Sequence, residues 1–227
     1  RSVAIIFKDG APDMKECSCE FGNMDWSLGD ETVVLTNAHV VSGSSFPKAA
    51  SPSEATVKFE LLHQEGHGED SYDVAKVLWE SHPNEHDVAV LRLNPPVTHE
   101  LKPRRIHEKL PELAAGQKKR VYIIGHPSGR EVSFSFQDNE LLDYERDIYN
   151  SPNSIAPCRI QYRAPTEPGS SGSPIYDQSW RIIGIHHAGG RYVQKLDGTR
   201  NTHAANEGLW IESMRRALRK RKDRESQ

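Results

Sequence analysis

The chain is poor in cysteine, with three in 227 residues, at positions 17, 19 and 158. Cys17 and Cys19 are too close for an ordinary bridge and Cys158 is distant, which speaks against a disulfide-stapled scaffold. A reduced, intracellular setting is expected, with secretion as the alternative. One Cys-x-Cys and a single further cysteine also make a poor zinc signature. No apolar run approaches the ~20 residues needed to span a bilayer, so no membrane partner is expected. The net charge is −3, which gives no electrostatic case for binding nucleic acid. There is no initiating methionine or signal-like stretch ahead of Arg1, and something upstream is expected to have been removed or left out.

What is present suits a folded protein. Hydrophobic residues make up 36% and charged residues 27%, and the length allows one large domain or two small ones. Short β-prone runs dominate. Val3–Phe7, Thr32–Thr36, Ala55–Leu61 and Val74–Trp79 read as strands, and Asp87–Leu93 as another. The stretch from Ser42 to Ser53 reads as a surface loop, and His63–Asp70 as a polar turn. Asn94–Leu113 is rich in proline and charge and reads as a connection. Beyond it, Val121–Ile124, Glu131–Phe136, Arg159–Arg163 and Arg181–His186 give a second set of strands, with an acidic loop from Gln137 to Pro157. Ile211, Met214 and Leu218 recur at helical spacing, so residues from Glu207 to about Lys222 are predicted to form an amphipathic helix. Its basic end, Arg215 to Arg224, reads as a solvated face. His63/His67 and His82/His86 are each four apart, but they sit among glycine and proline and read as solvated loop histidines. No metal or other cofactor is expected.

Three motifs carry chemistry. Thr166-Glu167-Pro168-Gly169-Ser170-Ser171-Gly172-Ser173-Pro174 suits a tight turn that lifts one hydroxyl from the backbone, with glycines that tolerate positive φ. A lone serine is a weak nucleophile and requires a base and an orienting acid. His39, in Thr36-Asn37-Ala38-His39-Val40-Val41, stands where a strand gives way to a turn. Asp87 opens the apolar run Asp87-Val88-Ala89-Val90-Leu91-Arg92-Leu93.

His39, Asp87 and Ser171, in that order and in those motifs, resemble the trypsin/chymotrypsin-fold serine endopeptidases over nearly the whole chain. The resemblance implies an all-β fold of two antiparallel β-barrels with a C-terminal α-helix. It divides the chain into a first barrel (1–100) carrying His39 and Asp87, a connection (101–118), a second barrel (119–206) carrying Ser171, and a closing helix with a basic tail (207–227). It implies a protein or peptide substrate, with His39 as base, Asp87 as its orienting acid and Ser171 as nucleophile. The backbone N–H groups of Gly169 and Ser171 would form the oxyanion hole.

The segment Gly184-Ile185-His186-His187-Ala188-Gly189 and the preceding Thr166 resemble the substrate pocket of bacterial glutamyl endopeptidases. Viral chymotrypsin-like proteases hold a P1 glutamine with a similar Gly-x-His and threonine. The resemblance makes Thr166, His186, His187, Ala188 and Gly189 substrate-binding residues and implies an acidic or Gln P1. Pro165, six before Ser171, occupies the position where a trypsin-like preference needs an acid. Ser-Gly-Ser-Pro-Ile-Tyr-Asp and Gly-Leu-Trp-Ile-Glu-Ser-Met also resemble intracellular eukaryotic trypsin-like proteases that favour aromatic P1, so that alternative stands. A latent, protease-like binding module is the reading from another class. Ser170 stands where zymogen-activated members carry an aspartate, so activation by a new N-terminal amine is not expected.

Overall fold

A computed structural model describes residues 3–8, 15–23, 32–44, 46–59, 70–97 and 106–226. Residues 63–69 of the expected His63–Asp70 turn and part of the 94–113 connection lie outside the described residues. Strands β1 (Val3–Lys8), β2 (Lys15–Asn23), β3 (Thr32–Thr36), β4 (Ala55–Phe59), β5 (Asp70–Ser81) and β6 (Val88–Asn94) close into an antiparallel barrel, in the order β1-β2-β3-β6-β5-β4. A second set follows: β7 (Val121–Gly125), β8 (Ser133–Phe134), β9 (Glu140–Tyr144), the short helix α1 (Arg146–Tyr149), β10 (Arg159–Arg163), β11 (Pro174–Asp177), β12 (Ile182–Gln194) and β13 (Thr202–Trp210). These seven strands form one antiparallel sheet, ordered β8-β7-β11-β12-β13-β10-β9. It curls on itself, because Lys119, just before β7, bridges Leu141 on β9. Helix α2 (Ile211–Glu225) ends the fold. It is the expected all-β architecture.

The side-chain pattern explains the layers. In β4, Ala55, Val57 and Phe59 are buried while Thr56 and Lys58 are partly exposed, the alternation of a strand with one wet face. β6 instead buries four consecutive residues, Val88 to Leu91. Ala89, Leu91 and Leu93 point into the first barrel. Val88 and Val90 join Val33, Leu35 and Trp79 against Ile182, Ile185 and Leu209 of the second sheet. β3 and β6 thus serve two cores, and a strand buried on both faces reads as a continuous apolar run. Ile211, Met214 and Leu218 set α2 into that same inter-sheet layer. Leu141, Ile160, Tyr162, Ile175 and Trp210 fill the second sheet's interior.

Several local expectations are corrected. The predicted helix from Glu207 begins only at Ile211, because Glu207–Leu209 are paired with both β10 and β12. The acidic stretch 137–157 is not all loop: it holds β9 and α1. Only Ser133–Phe134 of the 131–136 run is strand. His86 is not a solvated histidine. It is buried, its ring centroid lies 6.3 Å from that of Trp79, and the Ser213 backbone is close by. Burial lowers its pKa to about 4. His82 is exposed, as expected.

The basic run on α2 is largely paired within the protein. Arg215 bonds Glu212 and Glu108, Arg221 bonds Glu225, and Arg216 lies over the Trp210 ring at 4.7 Å. Among the described residues no helix is long and apolar enough to cross a membrane.

Candidate active site

β3 and β6 run antiparallel with Thr36 opposite Ala89, so the end of one and the start of the other deliver polar groups to the same place. β3 stops at Thr36, and the turn after it carries Asn37 and His39. Asp87 precedes β6 with φ at 42°, a left-handed conformation that aspartate tolerates better than most residues. Its side chain is fully buried, and every acceptor is used. Oδ2 accepts His39 Nδ1–H at 2.6 Å, and Oδ1 accepts the His39 backbone N–H at 3.0 Å. The Asp87 carbonyl accepts Asn37 Nδ2–H at 2.9 Å. Imidazole and carboxylate are thereby fixed to each other by main chain as well as side chain.

A second imidazole reaches the same oxygen. His187 Nδ1 lies 2.7 Å from Asp87 Oδ2, brought there by β12. Burial alone would push the Asp87 carboxyl up. The hydrogen bonds from His187 and His39 outweigh it and hold the group below the usual carboxylate range. Asp87 is therefore ionised at neutral pH. With both Nδ1 atoms donating to it, His39 keeps its Nε2 lone pair outward, the tautomer a general base needs.

Ser171 stands half-buried between Gly169 at φ 89° and Gly172 at φ 81°, where only glycine is at ease. The loop is tied to β12 by Gly172 N–H to the His186 carbonyl at 2.9 Å and by His186 N–H to the Ser173 carbonyl at 2.8 Å. Ser128 N–H donates to the Pro168 carbonyl at 2.7 Å, and Glu167 accepts from Ser128 Oγ at 2.9 Å and from Arg130 at 2.5 Å. Ser170 is buried, and its Oγ accepts the Glu167 N–H at 3.2 Å, holding the loop from within. The N–H groups of Gly169 and Ser171 meet no acceptor among the described residues. No hydrogen bond joins Ser171 Oγ to His39 among those residues, and such contacts tighten when substrate is bound.

Beside this loop a cluster of polar side chains converges on Gly189. A methyl group there would lie 2.7 Å from Asn206 Oδ1, 2.9 Å from Thr166 Oγ1 and 3.2 Å from His186 Cε1. Thr166 donates its hydroxyl to Asn206 Oδ1 at 3.1 Å, Gly190 N–H does so at 3.1 Å, and Asn206 Nδ2–H holds the Ala164 carbonyl at 2.6 Å. His186 is buried, with Nδ1 2.6 Å from the Tyr162 hydroxyl. Burial, then the neighbouring His187 and His39, lowers the His186 pKa to about 3, so the ring is neutral. The Tyr162 hydroxyl, itself held protonated by burial, has no other acceptor among the described residues. Its hydrogen goes to Nδ1 and the ring proton sits on Nε2.

Of the residues singled out by sequence, Thr166, His186 and Gly189 come together, and Ala188 is exposed beside them. His187 sends its ring to Asp87. Asn206 and Tyr162 were missed. Asparagine is disfavoured in strands, so one inside β13 was a signal, but the helix predicted from Glu207 obscured that strand.

Residues 26–185 match the family model for the trypsin-like peptidase domain. Among solved structures, Glu endopeptidase in complex with MPD is similar at a TM-score of 0.59 and 18% identity, over 100% of this chain and 91% of that one. An inactive form of the Rv3671c protease is similar at 0.56 and 20% identity, covering 96% and 88%. A serine-to-alanine mutant of Rv3671c from M. tuberculosis H37Rv, also in an inactive form, gives 0.56 and 18%, covering 96% and 85%. The family model spans most of the chain, and the closed first barrel and curled second sheet agree with it: this protein belongs to the trypsin-like peptidase domain family of proteases.

Proposed function

We propose that the protein is a serine endopeptidase in which Ser171 attacks, His39 carries the proton and Asp87 orients and charges the base. The observation that carries this reading is the His39–Asp87 pair, joined by side chain at 2.6 Å and by main chain at 3.0 Å. His39 Nε2 takes the proton from Ser171 Oγ as oxygen bonds to the substrate carbonyl carbon. The resulting oxyanion is met by the N–H groups of Gly169 and Ser171, and one such donor contributes about 3 kcal/mol to the transition state. His39 then gives its proton to the leaving amine, and water repeats the sequence on the acyl-enzyme.

The pocket reading is that P1 is acidic or Gln. Thr166 and Asn206 set hydroxyl and amide groups at its wall, and His186 keeps an Nε2–H to offer to an acceptor. The three atoms nearest a methyl group at Gly189 belong to Asn206, Thr166 and His186 and none is a carboxylate oxygen, which supports the expectation that Arg and Lys are poor P1 residues.

The test is hydrolysis of peptides that differ only at P1 (Glu, Asp, Gln, Phe, Leu, Arg), run beside Ser171→Ala. Turnover after Glu or Gln that disappears in the variant is expected. Turnover after Phe or Leu would keep the triad and remove the pocket reading. A latent protease-like module is the second reading, favoured by the lack of a Ser171–His39 hydrogen bond. Absence of turnover at every P1 would select it.

A further inference from the structure

Asp87 Oδ2 receives two imidazoles at once, His39 Nδ1 at 2.6 Å and His187 Nδ1 at 2.7 Å. Among the described residues these three donor atoms form a convergent group, all within 4.8 Å of one another. We propose that His39, Asp87 and His187 are a binding site for a divalent transition-metal ion, zinc foremost, and that the ion reversibly arrests catalysis. It acts as an inhibitor, not as a resident cofactor.

The donor set defines the cation. Two neutral imidazoles and one carboxylate suit zinc, cobalt or copper, whereas magnesium and calcium take oxygen ligands. The site already has an outer layer of support. Asp87 is buried, its Oδ1 is held by the His39 backbone N–H, and its carbonyl by Asn37. These bonds do not depend on either ring, so the carboxylate stays in place when the imidazoles move.

The rings have room to move, since the side chains of His39 and His187 are 36% and 24% exposed. A tetrahedral ion with bonds of about 2.1 Å spaces its ligands roughly 3.4 Å apart. Each imidazole must therefore retreat from Oδ2 by roughly 0.7–0.8 Å from its present 2.6 or 2.7 Å.

Protons balance without an external base. Each ring moves its hydrogen from Nδ1 to Nε2 and presents the freed Nδ1 lone pair to the ion, so no net proton is released. For His39 the consequence is specific. Nε2 becomes N–H, and it can no longer accept the hydrogen of Ser171. This inhibitory consequence rests on the catalytic reading above; the binding does not.

The experiment separates the two. Titrating Co²⁺ into the Ser171→Ala protein is expected to give visible d–d absorption that saturates at one ion per chain and is displaced by Zn²⁺. His187→Ser and His187→Asn, checked for folding by thermal melting, are expected to lose that band. No saturable band, or a band that persists in the folded His187 variants, overturns the site. With the Ser171 chain, Zn²⁺ is expected to stop peptide hydrolysis and EDTA to restore it. Measured against its own metal-free rate, a folded His187 variant should need about tenfold more Zn²⁺ or greater for half-inhibition. Equal sensitivity overturns the proposal. If the Ser171 chain hydrolyses nothing, the catalytic reading fails and the cobalt titration still decides the metal site.

Discussion

Replacing Tyr162 by phenylalanine removes one oxygen from the interior and tests how the pocket recognises P1. Tyr162 and His186 are both buried, and the hydroxyl lies 2.6 Å from Nδ1. With the oxygen gone, Nδ1 has no partner among the described residues in a buried site. An unsatisfied buried polar atom costs about 1–3 kcal/mol, and the folded state should lose stability of that order. The functional effect is separate. The hydroxyl keeps the ring proton on Nε2; without it the proton is free to occupy Nδ1, and donation toward P1 is lost for that share of molecules. A weakened hydrogen bond of about 1.4 kcal/mol is a tenfold change, so kcat/KM for Glu or Gln peptides should fall about tenfold relative to a Phe peptide. The assay is the ratio of kcat/KM values for peptides identical except at P1, with thermal melting alongside. A fall in melting temperature with an unchanged ratio would refute the reasoning, leaving Tyr162 and His186 as packing alone.

Acid should destabilise the fold through two buried histidines. The pKa values of His186 and His86 are lowered to about 3 and about 4, below the unfolded value near 6.5, so the unfolded chain binds more protons as pH falls. Stability is then full above about pH 6.5 and declines by up to about 2.7 kcal/mol per pH unit toward pH 4. Urea unfolding across that range checks it, and His86→Gln should flatten the slope by about half. Gly208→Ala should cost about 3 kcal/mol or more, because its methyl group would lie 2.8 Å from the Ile185 carbonyl oxygen and 2.3 Å from Ile175 Cδ1. Equal melting temperatures would contradict that. Asp87→Asn should lower kcat by several powers of ten with KM little changed, since the amide loses the charge that steadies His39. A loss confined to KM would speak against the orienting role.

The fold was legible because its signals are local. β3 and β6 are apolar and β-branched, and their polar neighbours His39 and Asp87 fall at the strand ends where a site can form. The residues that complete the site are less visible, because they depend on register. His187 follows His186 by one residue, and a strand alternates its faces; one ring therefore meets Tyr162 while the other reaches Asp87 across the sheet boundary. Asn206 enters only because β13 pairs with β10 and β12, placing it opposite Tyr162. His86 looked like a solvated loop residue by composition, yet α2 packs over it through Ser213, a contact between positions far apart in the chain. Strand pairing over such distances leaves no periodic trace in the sequence.

The central claim is that Ser171 is a nucleophile activated by His39. The most direct measurement is intact-mass and peptide-mass analysis after reaction with a fluorophosphonate, comparing the Ser171 chain with Ser171→Ala and His39→Ala. One phosphonyl group on Ser171, absent from both variants, is the expected result. Labelling elsewhere, no labelling, or full labelling in His39→Ala would contradict it.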